Sequence, residues 1–284
     1  MLEEQIYIAD AAIATALYLS MVLGKPLLIE GPAGVGKTEI AKALANALQT
    51  RLIRLQCYEG LDATTALYEW NYPKQLLHLK LEESSPASET EKEAMIFSEA
   101  FLLKRPLLQA ITEHERAPVL LIDEIDRSDE EFEAFLLEVL SDYQVTIPEI
   151  GSIKATHRPH VVLTSNRSRD LSDALRRRCL YHWIDYPSLE KELEIVRAKV
   201  PTIKASLAKR VTEVMQATRT MSLSKIPGVA ETLDWANALV ALKAPALNEE
   251  IVAETLGCFL KDESDVAAFK AELPRICTDS YTDV

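Results

Sequence analysis

Gly31-Pro32-Ala33-Gly34-Val35-Gly36-Lys37-Thr38 decides the reading of this chain. The eight residues fit G-x-x-x-x-G-K-[ST], the P-loop pattern. Before them, Pro26-Leu27-Leu28-Ile29-Glu30 is a short apolar run, as expected of a buried parallel strand. After them, Ile40, Ala41, Leu44, Ala47 and Leu48 recur at helical spacing. The loop therefore falls between a strand and a helix, where phosphate binding needs it. Its glycines let backbone N–H groups surround an anion, and the helix N-terminus adds a favourable partial charge. Lys37 is suited to neutralise β- and γ-phosphates, and the Thr38 hydroxyl to hold Mg²⁺. A chance glycine-rich turn is the competing reading, and the flanking strand and helix oppose it. The loop argues for nucleotide binding more directly than for turnover.

A second motif lies downstream. Pro118-Val119-Leu120-Leu121-Ile122-Asp123 reads as a strand that ends on two carboxylates, Asp123 and Glu124. Ligands bind at the C-terminal ends of strands in open α/β sheets. Asp123 is expected to hold Mg²⁺ through water, and Glu124 to polarise an attacking water as general base. Alone, an Asp-Glu pair after a strand is common; beside a P-loop it reads as a Walker B site. Asn166 ends a further strand, His160-Val161-Val162-Leu163-Thr164-Ser165, where its amide could position the same water; a plain turn residue is the alternative. Ser172 caps a short helix ending in Arg176-Arg177-Arg178. These arginines are either a solvated helix end, favourable with the helix dipole, or an arginine finger for a neighbour's γ-phosphate.

Length and composition set the bounds. At 284 residues, 48% hydrophobic and 26% charged, the chain can bury a sizeable core in one large or two modest domains. No apolar run approaches membrane-spanning length. Met1-Leu2-Glu3-Glu4 carries acid where a signal peptide carries base, which points to the cytosol. Cys57, Cys179, Cys258 and Cys277 lie far apart with no CxxC pair, so buried free thiols are expected rather than a zinc ribbon or redox dithiol. A net charge of −13 runs against a general nucleic-acid binder.

In chain order, Ile6, Ala9, Ile13, Ala16, Leu17 and Ser20 form a helical stripe, and Arg51–Cys57 alternates as a second strand. Gly60-Leu61-Asp62 opens a short helix that Asn71-Tyr72-Pro73 is expected to end. About sixty residues then separate the second strand from the Asp-Glu strand, more than one crossover helix needs. An insertion is therefore placed at about 71–103. Leu77, Leu79 and Leu81 alternate with polar residues like a strand, Ser84–Ser88 reads as a loop tip, and helical pattern from Glu89 to Glu115 is interrupted at Pro106. Ser128-Asp129-Glu130-Glu131 is a capping box ahead of a helix with Phe132, Phe135, Leu136, Val139 and Leu140 on one face. Gln144–Ala155 reads as a hairpin turning near Glu149–Ser152. His157 and His160, off a helix, make a weak metal pair and read as solvated loop. The strand Leu180–Tyr186 stops at Pro187. Beyond it the pattern is helical, broken at Pro201, Pro227, Pro245 and Pro274, so an α/β nucleotide domain is expected over 1–187 and a helical lid over 188–284.

Together these parts resemble the AAA+ ATPases. The insertion and the hairpin sit where the helix-2-insert clade carries its two hairpins. Within that clade the chain resembles the MoxR family, and Leu61–Trp70, Glu99–Leu108 and Glu231–Ala236 look closest to its CoxD-like branch, linked to maturation of molybdenum–copper carbon monoxide dehydrogenase and related enzymes. The resemblance implies an AAA+ αβα domain with a parallel sheet and an all-α lid. Gly31 to Thr38 would be Walker A, Asp123 and Glu124 Walker B, and Asn166 sensor 1. The finger would be Arg177 or Arg178, with Arg176 behind them, and Lys225 is the basic residue nearest the sensor 2 position. It also implies ATP and Mg²⁺, a ring of subunits, commonly six, a partner with a von Willebrand A domain that brings the motor to a client metalloenzyme, and no membrane segment of its own, any contact with the inner membrane being through a partner. The alternative is a nucleic-acid motor, which this clade also contains; the acidic charge opposes it.

Overall fold

In this computed structural model, which describes residues 7–8, 10–81 and 88–278, helix α1 (Ala11–Leu23) leads into strand β1 (Leu27–Glu30), whose four residues are all buried. Of the predicted stripe, Ile13 and Ser20 are buried on α1, while Ile6 and Ala9 lie outside the described residues. The P-loop follows, then α2 (Lys37–Ala47), where Ile40, Ala41 and Leu44 are buried, and β2 (Leu52–Gln56). After the inserted segment come β5 (Val119–Asp123), α7 (Glu130–Asp142), β8 (His160–Ser165), α8 (Asp173–Arg178) and β9 (Leu180–Trp183). Five strands pair in parallel in the order β2-β5-β8-β1-β9. Near-continuous apolar strands such as Val119–Ile122 and Val161–Leu163 are what a sheet covered on both faces requires. The register aligns Glu30 with Ser165 and Trp183, and Gln56 with Asp123, so these strand ends share the C-terminal edge of the sheet. α7 buries Phe132, Leu136, Val139 and Leu140, as its spacing predicts, and the hairpin forms from β6 (Gln144–Ile147) and β7 (Gly151–Lys154) around a turn at 148–150.

The inserted segment departs from expectation. Asp62 caps α3 (Ala63–Leu67) as predicted, but the chain then pairs β3 (Tyr68–Trp70) antiparallel with β4 (Leu102–Lys104). Between them lie two helices, α4 (Tyr72–Leu81) and α5 (Glu89–Ile96). Leu77, Leu79 and Leu81 are thus helical, not a strand. Asn71 opens α4 instead of ending a helix: its side chain accepts the Lys74 N–H (3.1 Å), and Pro73 sits in the first turn, where its missing N–H costs nothing. Five residues of period-2 pattern fit either structure, and the cap decides. Ser88 caps α5 through a reciprocal box with Glu91; 84–87 of the expected loop tip lie outside the described residues. Pro106 does not interrupt a helix but begins α6 (Pro106–Ile111).

Three smaller corrections are local. Asp129, not Ser128, caps α7, accepting the Phe132 N–H at 2.8 Å, while the Ser128 hydroxyl donates to the Ile125 carbonyl. β9 ends at Trp183, three residues early. Pro274 lies inside α13 (Glu263–Thr278) rather than ending it; its ring removes one N–H from the ladder, and the turns on either side continue the helix.

By contacts, Ala11–Glu30 with Leu44–Trp183 form one compact unit, and Gly31–Ala43 with the described chain from Ile184 form another. The second unit is helical beyond Trp183: α9 (Leu189–Lys199), α10 (Ala205–Arg219), α11 (Val229–Ala241), α12 (Glu249–Thr255) and α13 (Glu263–Thr278). Its core is centred on Trp235, Phe259 and Phe269, with the indole N–H of Trp235 satisfied by Thr255 (2.8 Å). Among the described residues no helix is long and apolar enough to cross a membrane.

Candidate functional site

The P-loop belongs to the helical unit. Gly34 has φ +75°, a left-handed conformation that glycine adopts without strain. Lys37 is buried, and its ammonium donates to the carbonyls of Gly31 (2.7 Å) and Pro32 (2.6 Å). Thr38 follows it in the first turn of α2. The start of α11 closes on this loop. The N–H groups of Val229 and Ala230 donate to the Gly34 carbonyl (2.9 and 3.2 Å), so the loop satisfies donors that a helix N-terminus leaves unpaired. A Cβ at Gly228 would lie 2.7 Å from the Ala33 carbonyl oxygen and from the Gly34 Cα, so only glycine fits there. Glu231 accepts the Gly228 N–H at 2.8 Å. Lys225, the expected sensor 2, is exposed on the preceding turn, its backbone N–H on Asp265 (3.0 Å).

In the sheet unit, Asp123 is buried at the end of β5. One of its oxygens accepts from the Thr164 hydroxyl (2.5 Å) and the other from the Arg54 guanidinium (2.5 and 3.0 Å). Glu124 adopts a left-handed conformation, φ 55° and ψ 50°, uncommon for a residue with a side chain and found preferentially at functional sites. The Thr164 hydroxyl accepts its N–H at 2.9 Å. Its carboxylate meets two donors on one oxygen, Gln56 at 3.2 Å and Arg127 at 2.9 Å. Arg54, Gln56 and Arg127 were not anticipated from sequence. The available signal was the alternation along β2, where Arg54 and Gln56 fall between the buried Ile53 and Leu55.

Asn166 follows β8 directly, half-buried, and its side-chain amide has no partner among the described residues. Asp126, also missed, holds its backbone. It is buried and accepts the N–H groups of Asn166 (3.2 Å) and Ser168 (2.8 Å) and the Ser168 hydroxyl (2.7 Å). Burial pushes the Asp126 carboxyl up, but these hydrogen bonds outweigh it and hold its pKa below the usual value. A depressed carboxyl contributes stability that is present above its unfolded pKa, about 3.9, and lost as pH falls through its folded value. Asp126→Asn is therefore expected to destabilise the protein by about 1–3 kcal/mol at pH 7. The gap from the parent should shrink in thermal melts below about pH 4; a gap that stays constant with pH refutes this. Cys57, close to the same carboxylates, is pushed up to about 12, first by burial and then by Asp123, Asp126 and Glu124, so it stays an inert thiol.

The three arginines part company. Arg176 pairs with the buried Glu30 at 3.0 Å. Arg178 donates to the Leu137 carbonyl (2.5 Å) and the Ser141 hydroxyl near the end of α7. Arg177 is 83% exposed, and among the described residues its ionic neighbour is Asp173, at 4.0 Å.

The residues present fit ATP and Mg²⁺. The loop carries a buried ammonium ringed by carbonyls beside a helix N-terminus, a place for phosphate charge. The Asp123 carboxylate and Thr38 hydroxyl are hard oxygen donors of the kind Mg²⁺ takes.

An uncharacterized protein of Staphylococcus haemolyticus is 25% identical over 280 residues, covering 95% of this chain and 97% of that one. The Holliday junction branch migration complex subunit RuvB of Thermotoga maritima is 23% identical over 263 residues; the match covers 90% of this chain and 66% of RuvB. A solved structure of a Thermotoga maritima RuvB mutant superposes with a TM-score of 0.50 at 21% identity, over 86% of this chain and 67% of that one, a likeness of fold. Residues 27–184 match the family model described as ATPase family associated with various cellular activities (AAA). With a parallel P-loop sheet, a mostly helical C-terminal region and that match over more than half its length, the chain belongs to the AAA family of ATPases, enzymes that hydrolyse ATP with Mg²⁺.

Proposed function

We propose that this chain is a MoxR-type ring ATPase whose hydrolysis remodels a protein client, a metalloenzyme related to molybdenum–copper carbon monoxide dehydrogenase, during assembly of its metal cofactor. The observation that carries the reading is the surface of the insert. Tyr72, Leu76, Leu77 and Leu81 on α4 are all at least 60% exposed, in a chain of net charge −13. Exposed apolar side chains on an acidic protein suit a protein client better than a phosphate backbone. A nucleotide domain over 1–187 and a lid over 188–284 are part of this proposal. So are a hexameric ring, a von Willebrand A partner and contact with the inner membrane only through that partner.

The positions described support the following chemical roles. The P-loop backbone from Gly31, with Pro32, Ala33, Gly34, Val35 and Gly36, cradles phosphates, and Lys37 neutralises them. Thr38 and Asp123 hold Mg²⁺, which supplies Lewis-acid stabilisation of phosphate charge when bound. Glu124 accepts a proton from water, Asn166 orients that water, and Arg177 acts on a neighbouring subunit's nucleotide. The contacts of Gln56 and Arg127 with Glu124 must loosen for the carboxylate to act as base, since donors on a carboxylate oxygen weaken it as an acceptor.

Similarity to RuvB supports a second reading, a DNA-acting motor. The test is a trap: Glu124→Gln expressed in the native host, purified with Mg·ATP, and its companions identified by mass spectrometry. A von Willebrand A protein and a molybdenum hydroxylase-type enzyme are expected. Nucleic acid or replication proteins would replace the first reading by the second.

A further inference from the structure

We infer that Glu30, the residue before the P-loop, is a positioning residue that anchors the arginine-bearing helix α8 and so sets how Arg177 is presented to a neighbouring subunit; the inference rests on the trans role proposed for Arg177. The Glu30 carboxylate is fully buried at the end of the interior strand β1, which pairs with β8 on one side and β9 on the other. Three separate segments converge on it. Arg176 from α8 donates to Oε1 (3.0 Å), the Tyr181 hydroxyl from β9 donates to Oε2 (3.1 Å), and Arg167, in the turn after Asn166, lies 3.8 Å from Oε2. Burial, then the Glu30 hydrogen bond, raises the Tyr181 phenol, which therefore keeps the proton it donates. Arg167 adopts φ 57° and stacks 5.9 Å from the Trp183 ring, so its turn is held in a shape ordinary residues avoid.

A buried carboxylate needs charged partners, and the partners in turn are held where it is. That matters for α8, which has six residues and little stability of its own. Its placement comes from tethers. Ser172 caps its start, Leu175 is buried, Arg178 ties it to α7, and Arg176 ties it to Glu30. Arg176 is partly buried and Arg177 and Arg178 are exposed; Arg177 lies between two neighbours whose side chains are tied down. The Arg176–Glu30 tether alone leads to the strand that enters the P-loop. A displacement at the end of β1 would pass to α8 through this pair.

The test uses the full chain carrying Glu30→Gln, which keeps an acceptor for Tyr181 but removes the ion pair. Arg176→Gln is the second variant: its side chain is partly exposed and its loss does not open the core. Both are expected to keep KM for ATP within about twofold and to lose at least about tenfold in kcat. Each variant is then mixed with Glu124→Gln, whose Arg177 is intact. If Glu30 acts through the finger, the Glu124→Gln subunit supplies the finger to the variant's own intact site, and activity rises several-fold above the sum of the two alone. No recovery, or an unchanged kcat, overturns the inference. Arg177→Ala mixed with Glu124→Gln is the control. Recovery there without recovery for Glu30→Gln and Arg176→Gln overturns the anchoring role alone; no recovery in the control overturns the finger reading and the anchoring role with it.

Discussion

Glu124→Gln is expected to lower kcat for ATP by about a thousandfold, ~4 kcal/mol in the barrier, while ATP affinity stays within about threefold. The carboxylate sits at the C-terminal edge of the sheet, beside Asp123, in a left-handed backbone conformation held by Thr164. Glutamine keeps the shape and the contact with Gln56 but cannot take a proton. Binding should survive because the phosphate cradle runs through other residues. Single-turnover hydrolysis and equilibrium binding of a fluorescent ATP analogue separate the two quantities. A loss of less than about tenfold would remove Glu124 from the role of general base, since positioned bases contribute about 10²–10⁴-fold.

The second large effect belongs to Arg177. Arginine fingers contribute about 10³–10⁵ in kcat, so Arg177→Ala should bind ATP normally and hydrolyse it at least about a hundredfold more slowly. Arg178→Ala should behave differently. Its guanidinium ties α8 to the Leu137 carbonyl and Ser141, so its loss costs about 1–2 kcal/mol of stability and little turnover. The contrast decides between two residues that sequence leaves equivalent. Steady-state ATPase assays with thermal melts on both variants settle it; the reverse pattern would make Arg178 the finger.

Much of the fold was legible because its signals are local. The P-loop lies within eight consecutive residues between an apolar run and a helical pattern, and the Asp123-Glu124 pair follows a strand with no polar break. Asp62 and Ser172 announce helix starts within three residues of themselves. Where the local signal was ambiguous the reading failed. The alternating leucines of α4 fit a strand or a helix, and the cap from Asn71 chose the helix. Pro106 reads as a breaker in a helix interior and as a starter at a first turn, and only the pairing of β4 just before it tells which applies.

The chain's own sequence determined the chemistry it can attempt: which residues fit a phosphate-binding pattern, which carboxylates end a strand, and that arginines follow. Tertiary structure decided which of these groups is engaged and by what. Asp123 meets Arg54 from 69 positions away, and Glu30 meets Arg176 across 146. Such partners leave no periodicity or spacing to read, because a parallel sheet joins strands in an order, β2-β5-β8-β1-β9, unrelated to their order in the chain. Burial then turns those meetings into constraints. Removed from water, Glu30 requires Arg176 and Asp126 fixes the backbone of Asn166, while Arg177 is left in solvent.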